Sequence, residues 1–184
     1  MEPADVGVAL LAIARAAIAR ELGLAHMAHV THAELARIGA TFVTLRRDGD
    51  LRGCIGTVDA WRALADDVHA NAMAAAFRDP RFSPLCAREF ARVTIEVSVL
   101  NPSERMAERH EESLAAALRP GVDGVVLECA RHRATFLPQV WEQLPDPHAF
   151  LGALKRKAGL ADTFWSDDVR VCRYTVERFV EEPV

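Results

Sequence analysis

Leu51-Arg52-Gly53-Cys54-Ile55-Gly56, read together with Thr41-Phe42-Val43-Thr44-Leu45 before it, decides the fold. Both stretches are short, β-rich and bounded by Arg47-Asp48-Gly49, the pattern of a hairpin. Two registers compete. A two-residue Asp-Gly turn pairs Leu45 with Arg52 and mixes polar with apolar groups on both faces. A three-residue loop with Gly49 left-handed pairs Leu45 with Leu51. The second gathers Val43, Leu45, Leu51 and Ile55 on one face and Phe42, Thr44, Arg52 and Cys54 on the other. Because a one-residue slip flips every side chain, the apolar pattern favours the three-residue loop.

Strand alternation then places Arg52 and Cys54 on one face. A cation beside a thiol favours the thiolate, the nucleophilic form. Gly53 and Gly56 carry no side chain, so a ligand or a second backbone can come close to the strand. The same residues also fit a tightly packed strand with an inert cysteine and a structural ion pair.

Val93 to Leu100 alternates cleanly, with Val93, Ile95, Val97 and Val99 on one face and Thr94, Glu96 and Ser98 on the other. An acid at the centre of such a strand needs water, a cation or a hydrogen-bond partner. If this strand shares the hairpin's sheet, Glu96 lies on the face of Arg52 and Cys54. Between them, Leu64 to Phe77 reads as a helix with a buried stripe through Leu64, Val68, Ala72 and Ala75. Asp79-Pro80-Arg81-Phe82-Ser83-Pro84 stops it. That loop sets an acid, a base and an aromatic just past a helix end, although Asp79 and Arg81 can equally brace the turn.

Outside this centre, residues 4 to 22 read as an amphipathic helix ended by Gly23. Glu111 to Leu118 is a short helix stopped by Pro120-Gly121. Gly124 to Cys129 and Ala134 to Val140 form a second hairpin across Arg131-His132-Arg133, with Pro138 marking an edge or a departure from the ladder. Asp146 caps a helix with Pro147 at its first position, which runs to Ala158 and stops at Gly159. Val169 to Val180 is a closing strand whose apolar phase shifts between Val171 and Tyr174, as a bulge would make it.

Composition bounds the class. The 184 residues are 51% hydrophobic, enough for one globular domain with a real core. No run of 18 apolar residues predicts a membrane-spanning helix. The apolar stretch from Val6 to Ala19 lacks a basic leader and contains Arg15, which argues against a signal peptide. Cys54, Cys86, Cys129 and Cys172 lie 32, 43 and 43 residues apart. That spacing fits neither a zinc ribbon nor a disulfide scaffold, and it fits a reducing cytoplasm. A formal charge of -4 offers no global attraction to nucleic acid or acidic membranes. Lys155, Arg156 and Lys157 read as a solvated helix end that complements the helix dipole. His26, His29 and His32 recur every third residue, but no carboxylate or cysteine cluster accompanies them, and no metal is assigned.

Taken in order, Ala40-Thr41-Phe42-Val43-Thr44-Leu45, the Leu51 to Gly56 string, Asp79-Pro80-Arg81-Phe82 and Ile95-Glu96-Val97-Ser98-Val99-Leu100 resemble the AMMECR-one domain family. Its bacterial and archaeal members are called AmmeMemoRadiSam system protein A. Leu137-Pro138-Gln139-Val140, Phe150-Leu151 and Lys157-Ala158-Gly159-Leu160 continue the match, so the resemblance covers about residues 38 to 180, with residues 1 to 24 as an N-terminal helix. Two departures stand out. Arg133, Ala134 and Thr135 interrupt an apolar run, and Lys155 replaces a cysteine often seen there. A two-thiol mechanism therefore does not suit this chain.

The resemblance implies a single α+β domain, a mainly antiparallel sheet flanked by helices, with a larger and a smaller lobe and a cleft between. It also implies Memo-like and radical-SAM proteins as partners, and it supplies no settled reaction. The favoured expectation is a thiol-dependent enzyme or enzyme-like subunit, needing no cofactor, with Cys54 as nucleophile. Arg52 would steady its thiolate or an anionic substrate, and Glu96 would act as acid, base or orienter. Gly53, Gly56, Asp79, Arg81, Ser98 and Gln139 would line the ligand site. No histidine falls in the shared motifs to serve as the base; His69 is the nearest in sequence. The alternative is a non-catalytic module that binds a small molecule, a peptide or a partner enzyme. Nucleic-acid binding would need a basic, aromatic-bearing surface that this composition does not favour.

Overall fold

Alternating apolar residues at Val93, Ile95, Val97 and Val99 need a hydrophobic cover, and two helices provide it. In the computed structural model, which describes residues 5–24 and 30–182, the chain divides into two compact units. The first comprises Met1–Leu100 with Glu177–Val184, the second Asn101–Val176. Both are α+β with antiparallel sheets.

In the first unit, α1 (Val6–Glu21) starts at Asp5, whose side chain accepts from Gly7 N at 2.7 Å. Strands β1 (Ile38–Arg47), β2 (Asp50–Gly56), β4 (Val93–Leu100) and β9 (Val176–Val180) form a sheet in the order β2-β1-β4-β9, and the short β3 (Arg62–Ala63) pairs with the start of β1. Helix α2 (Leu64–Phe77) and α1 pack on one face. Leu10, Ile18, Leu64, Val68 and Ala72 there meet Val43, Leu45, Ile95 and Val97 in a single core. Beyond α2 the chain makes a four-residue helix, α3 (Ala87–Phe90), which the sequence pattern did not announce.

The hairpin register differs from both sequence alternatives. Asp48 and Gly49 form a two-residue turn with φ of 54° and 92°, the left-handed pair that matches strand twist. Arg47 faces Asp50 and Arg46 faces Leu51, but Leu45 faces Gly53. Arg52 is thus an extra residue, a bulge. The tight turn wins because Asp-Gly adopts it cheaply, and the bulge then restores the apolar phase that the turn alone would have lost.

The second unit holds β5 (Glu104–Arg105), α4 (Glu111–Ala117), β6 (Gly124–Cys129), β7 (His132–Phe136), α5 (Pro147–Lys157) and β8 (Arg170–Tyr174), with sheet order β5-β8-β6-β7. Its core gathers Leu114, Val125, Leu127, Leu151, Leu154 and Val171 around Trp141 stacked on Phe150, 3.8 Å between ring centres. Asp146 caps α5 as expected, accepting from Ala149 N at 2.8 Å.

Three expectations are corrected here. The second hairpin turns at Ala130 and Arg131, since Cys129 already pairs with His132. Its second strand ends at Phe136, and Pro138–Glu142 forms a short 3₁₀ turn, which proline at its first position favours. The closing strand is two strands, β8 and β9, which belong to different sheets and part at Thr175; between Val171 and Tyr174, where a bulge was expected, β8 pairs with β6 in unbroken register. Finally, Lys155 is no solvated end. Its side chain is 1% exposed and its Nζ donates to both carboxylate oxygens of Glu111 at 2.8 and 2.9 Å. Burying an ammonium is tolerable only with such a partner.

Candidate functional site

Cys54 sits on β2, at the open edge of the first sheet, with its side chain on the face away from α2. The register places Cys54, Thr44 and Glu96 in one row across β2, β1 and β4. A second row runs Gly56, Phe42, Ser98. Ser98 and Glu96 are both buried. Cys54 and Glu96 therefore share a face, but Thr44 stands between them, and two strand spacings amount to about 10 Å. Glu96 is beyond direct reach of the thiol and instead accepts from Arg178 Nη2 at 2.6 Å. The thiol's own partner is the Thr44 hydroxyl, which donates to Sγ at 3.3 Å.

The Asp79-Pro80-Arg81 loop closes the edge of β2 at this residue. Cys54 N donates to Asp79 Oδ2 at 2.9 Å, and Arg81 Nη2 donates to Cys54 O at 3.2 Å. Arg81 also forks onto Asp79, with Nε to Oδ1 at 2.9 Å and Nη2 to Oδ2 at 2.6 Å. A carboxylate and a guanidinium thus satisfy the strand groups that an edge leaves exposed. The Arg81 fork and the Cys54 N–H hold the Asp79 carboxyl well below the usual carboxylate range despite its burial. Arg81 is pushed up in turn, chiefly by its bonds to Asp79.

Arg52, expected beside the thiol, is taken up elsewhere. The bulge turns it toward α3, where Nε and Nη2 fork onto Glu89, each at 3.1 Å, and Nη2 also donates to Ser83 O at 2.9 Å. That fork is the main reason the Glu89 carboxyl falls to about 2. The cation bearing on Cys54 is Arg81. Burial pushes the Cys54 thiol up from its ordinary value, ahead of the opposing Thr44 bond and Arg81 charge, while Asp79 and Glu96 push it further up. Burial therefore works against the expected thiolate.

Neither glycine leaves an opening. A Cβ on Gly53 would lie 2.2 Å from Ala75 O in the α2 backbone, and one on Gly56 would lie 2.1 Å from the Phe42 ring. A second backbone does approach Gly53, and a side chain covers Gly56. Gln139 lies in the second unit, on its 3₁₀ turn. Of the three histidines, His26 and His29 fall outside the described residues; His32 Nδ1 accepts from Glu34 N at 3.1 Å. Among the described residues no helix is long and apolar enough to cross a membrane.

Several contributors escaped sequence reasoning. Thr44 carried a signal, since its strand parity matches Cys54. Glu89 and Arg178 carried none, being distant in sequence. A buried polar cluster on the α2 side, Thr41, Asp67 and Asn71, showed only as Asp67 and Asn71 at helical spacing beside the apolar stripe.

The raised thiol pKa changes the expected reactivity. Cys86 is exposed and Cys54 is half-buried. At neutral pH a small alkylating agent should therefore modify Cys86 before Cys54. Cys54 should gain rate only as the pH climbs past the ordinary thiol range, because its raised pKa postpones the thiolate. Mass spectrometry of timed alkylation checks this; Cys54 reacting first at pH 7 would contradict it.

Comparison with known proteins agrees with the motif pattern. The chain is 38% identical over 143 residues to a protein of Methanothermobacter thermautotrophicus, covering 77% of this chain and 74% of that one. It is 35% identical to a protein of Thermofilum pendens, covering 97% and 91%. Among solved structures, the uncharacterized protein PH0010 from Pyrococcus horikoshii superposes with a TM-score of 0.86 at 33% identity, covering 95% of this chain and 90% of that one. The AMMECR1 family model matches residues 11–179. With that match across nearly its whole length, the chain belongs to the AMMECR1 family.

Proposed function

We propose that this chain is a non-catalytic binding module whose ligand or partner docks at the β2 edge around Asp79, Arg81 and Cys54. One observation carries the reading. Among the described residues the hydrogen-bond partner of the thiol is a hydroxyl, not a base, and burial raises rather than lowers its pKa. A nucleophilic cysteine needs a base or a lowered pKa, and this one has neither. Arg81, by contrast, is 53% exposed yet fixed by a carboxylate that is 1% exposed. A pinned, solvent-facing guanidinium is a recognition element that loses little freedom on binding. Glu96, matched with Arg178, serves here as a structural charge. The family resemblance names Memo-like and radical-SAM proteins as the partner class, in a cytoplasmic setting.

Complementation with parallel pull-down of those two partner classes tests the proposal. Cys54→Ala should retain both function and capture, and Arg81→Gln should lose both while remaining folded by circular dichroism. Loss of function in Cys54→Ala with fold and capture intact would restore the thiol enzyme.

A further inference from the structure

The charges along the β2 edge do not balance. Arg47 and Arg52 share one carboxylate, Glu89, whereas Arg81 is matched singly by Asp79. Three cations thus face two anions; Arg47 and Arg81 are about half exposed, whereas Arg52 is withdrawn from solvent. The Arg52 side chain is 7% exposed. Its Nε and Nη2 are used on Glu89 and Ser83 O, and its Nη1 is buried with no hydrogen-bond partner among the described residues. A buried guanidinium N–H in that condition calls for an acceptor from outside the chain, an ion or ordered water.

A second cation lies one ring away. The guanidinium carbons of Arg52 and Arg81 are 5.8 and 5.5 Å from the centre of the half-buried Phe82 ring. Arg81 spends Nε and Nη2 on Asp79 and Cys54 O, which leaves Nη1 as its open donor. The neighbouring thiol is poorly suited to supply that anion, because burial raises its pKa.

We propose that the Arg52–Phe82–Arg81 cluster at the β2 edge recognises a single carboxylate group of a small ligand. This rests on the reading of that edge as a binding surface and names the chemistry it takes. One surplus positive charge matches a carboxylate monoanion better than a phosphate dianion. A planar carboxylate also suits guanidinium donors, and the Phe82 ring suits an apolar portion beside it.

The test is an NMR titration of the isotopically labelled full chain with sodium acetate, against sodium phosphate and sodium chloride at equal ionic strength. Acetate should shift the Phe82 and Ser83 amides and an arginine Nε–H resonance saturably, and more tightly than phosphate. Arg81→Gln should weaken acetate roughly tenfold, the worth of one charge-assisted hydrogen bond, and Arg52→Lys should abolish saturation. Arg92→Gln, an exposed pair with Asp48, should change nothing. If Arg52→Lys does not fold, Arg81→Gln decides alone. Linear shifts that are identical in Arg81→Gln would mean that water satisfies Nη1, and the inference falls; tighter phosphate binding would overturn the carboxylate assignment. Failure here with partner capture still dependent on Arg81 leaves the binding module standing. Saturable acetate binding in a chain whose function dies with Cys54→Ala leaves the carboxylate site and removes the module.

Discussion

Asp67→Ala is expected to cost about 3–5 kcal/mol, the typical penalty for removing one partner of a buried ion pair. Asp67 is fully buried on α2. Its Oδ2 accepts from Thr41 N and Thr41 Oγ1, both at 2.7 Å, and from Asn71 Nδ2 at 2.9 Å, while Oδ1 takes Arg62 Nε at 2.7 Å. The need for it arises in the sheet. On one flank of β1, β3 pairs only as far as Gly39, and β2 pairs from Phe42 onward. Thr41 O still receives Thr57 N at 2.9 Å, but Thr41 N, pointing the same way, meets no strand. The Asp67 carboxylate fills that gap. Removing it strands a backbone donor, a hydroxyl and a guanidinium together, so the melting temperature should fall on the order of 10 °C. Asp67→Asn should lose less, since one acceptor oxygen remains for Thr41. Thermal melts followed by circular dichroism decide; an Asp67→Ala loss within about 1 kcal/mol of the parent would show that water replaces the carboxylate.

Gly53→Ala should be destabilising by about 3 kcal/mol or more, the upper end for overpacking, and Gly56→Ala by clearly less. Both new methyls would intrude at nearly the same distance, 2.2 and 2.1 Å, but on different obstacles. At Gly53 the obstacle is the carbonyl oxygen of Ala75, in the last turn of α2, a backbone atom that cannot rotate aside as a side chain can. Relief requires shifting α2 off the sheet. At Gly56 the obstacle is the Phe42 ring, which can rotate. Unfolding by urea for the two variants measures the difference, and equal midpoints would defeat the explanation. The same close approach of α2 fixes the position of Cys54, so Gly53→Ala should also speed alkylation of that thiol.

Those two residues mark where local pattern stops being informative. The α+β class, the α1, α2 and α5 helices, the β1–β2 hairpin and the β4 strand were legible because apolar periodicity and turn chemistry are local properties of the chain. The shared face of Cys54 and Glu96 was legible too, since strand parity survives any correct pairing of neighbours. Arg52 was misplaced because a bulge costs one residue and leaves no mark in the alternation. The choice lay between Asp-Gly turn geometry and apolar phase, and the chain satisfied both by inserting Arg52. Lys155 was misread because helix-end lysines are usually solvated, and its partner Glu111 lies on another helix.

What the sequence determined by itself was the main helices, the thiol-bearing hairpin, the β4 strand and the family. The tertiary structure alone decided which cation faces which anion: Arg81 with Asp79 beside Cys54, Arg52 with Glu89, Arg178 with Glu96, Lys155 with Glu111. It also decided that burial opposes ionisation of the thiol. Ion pairing and desolvation depend on distances of a few ångströms between groups far apart in the chain, and no period or motif encodes those distances.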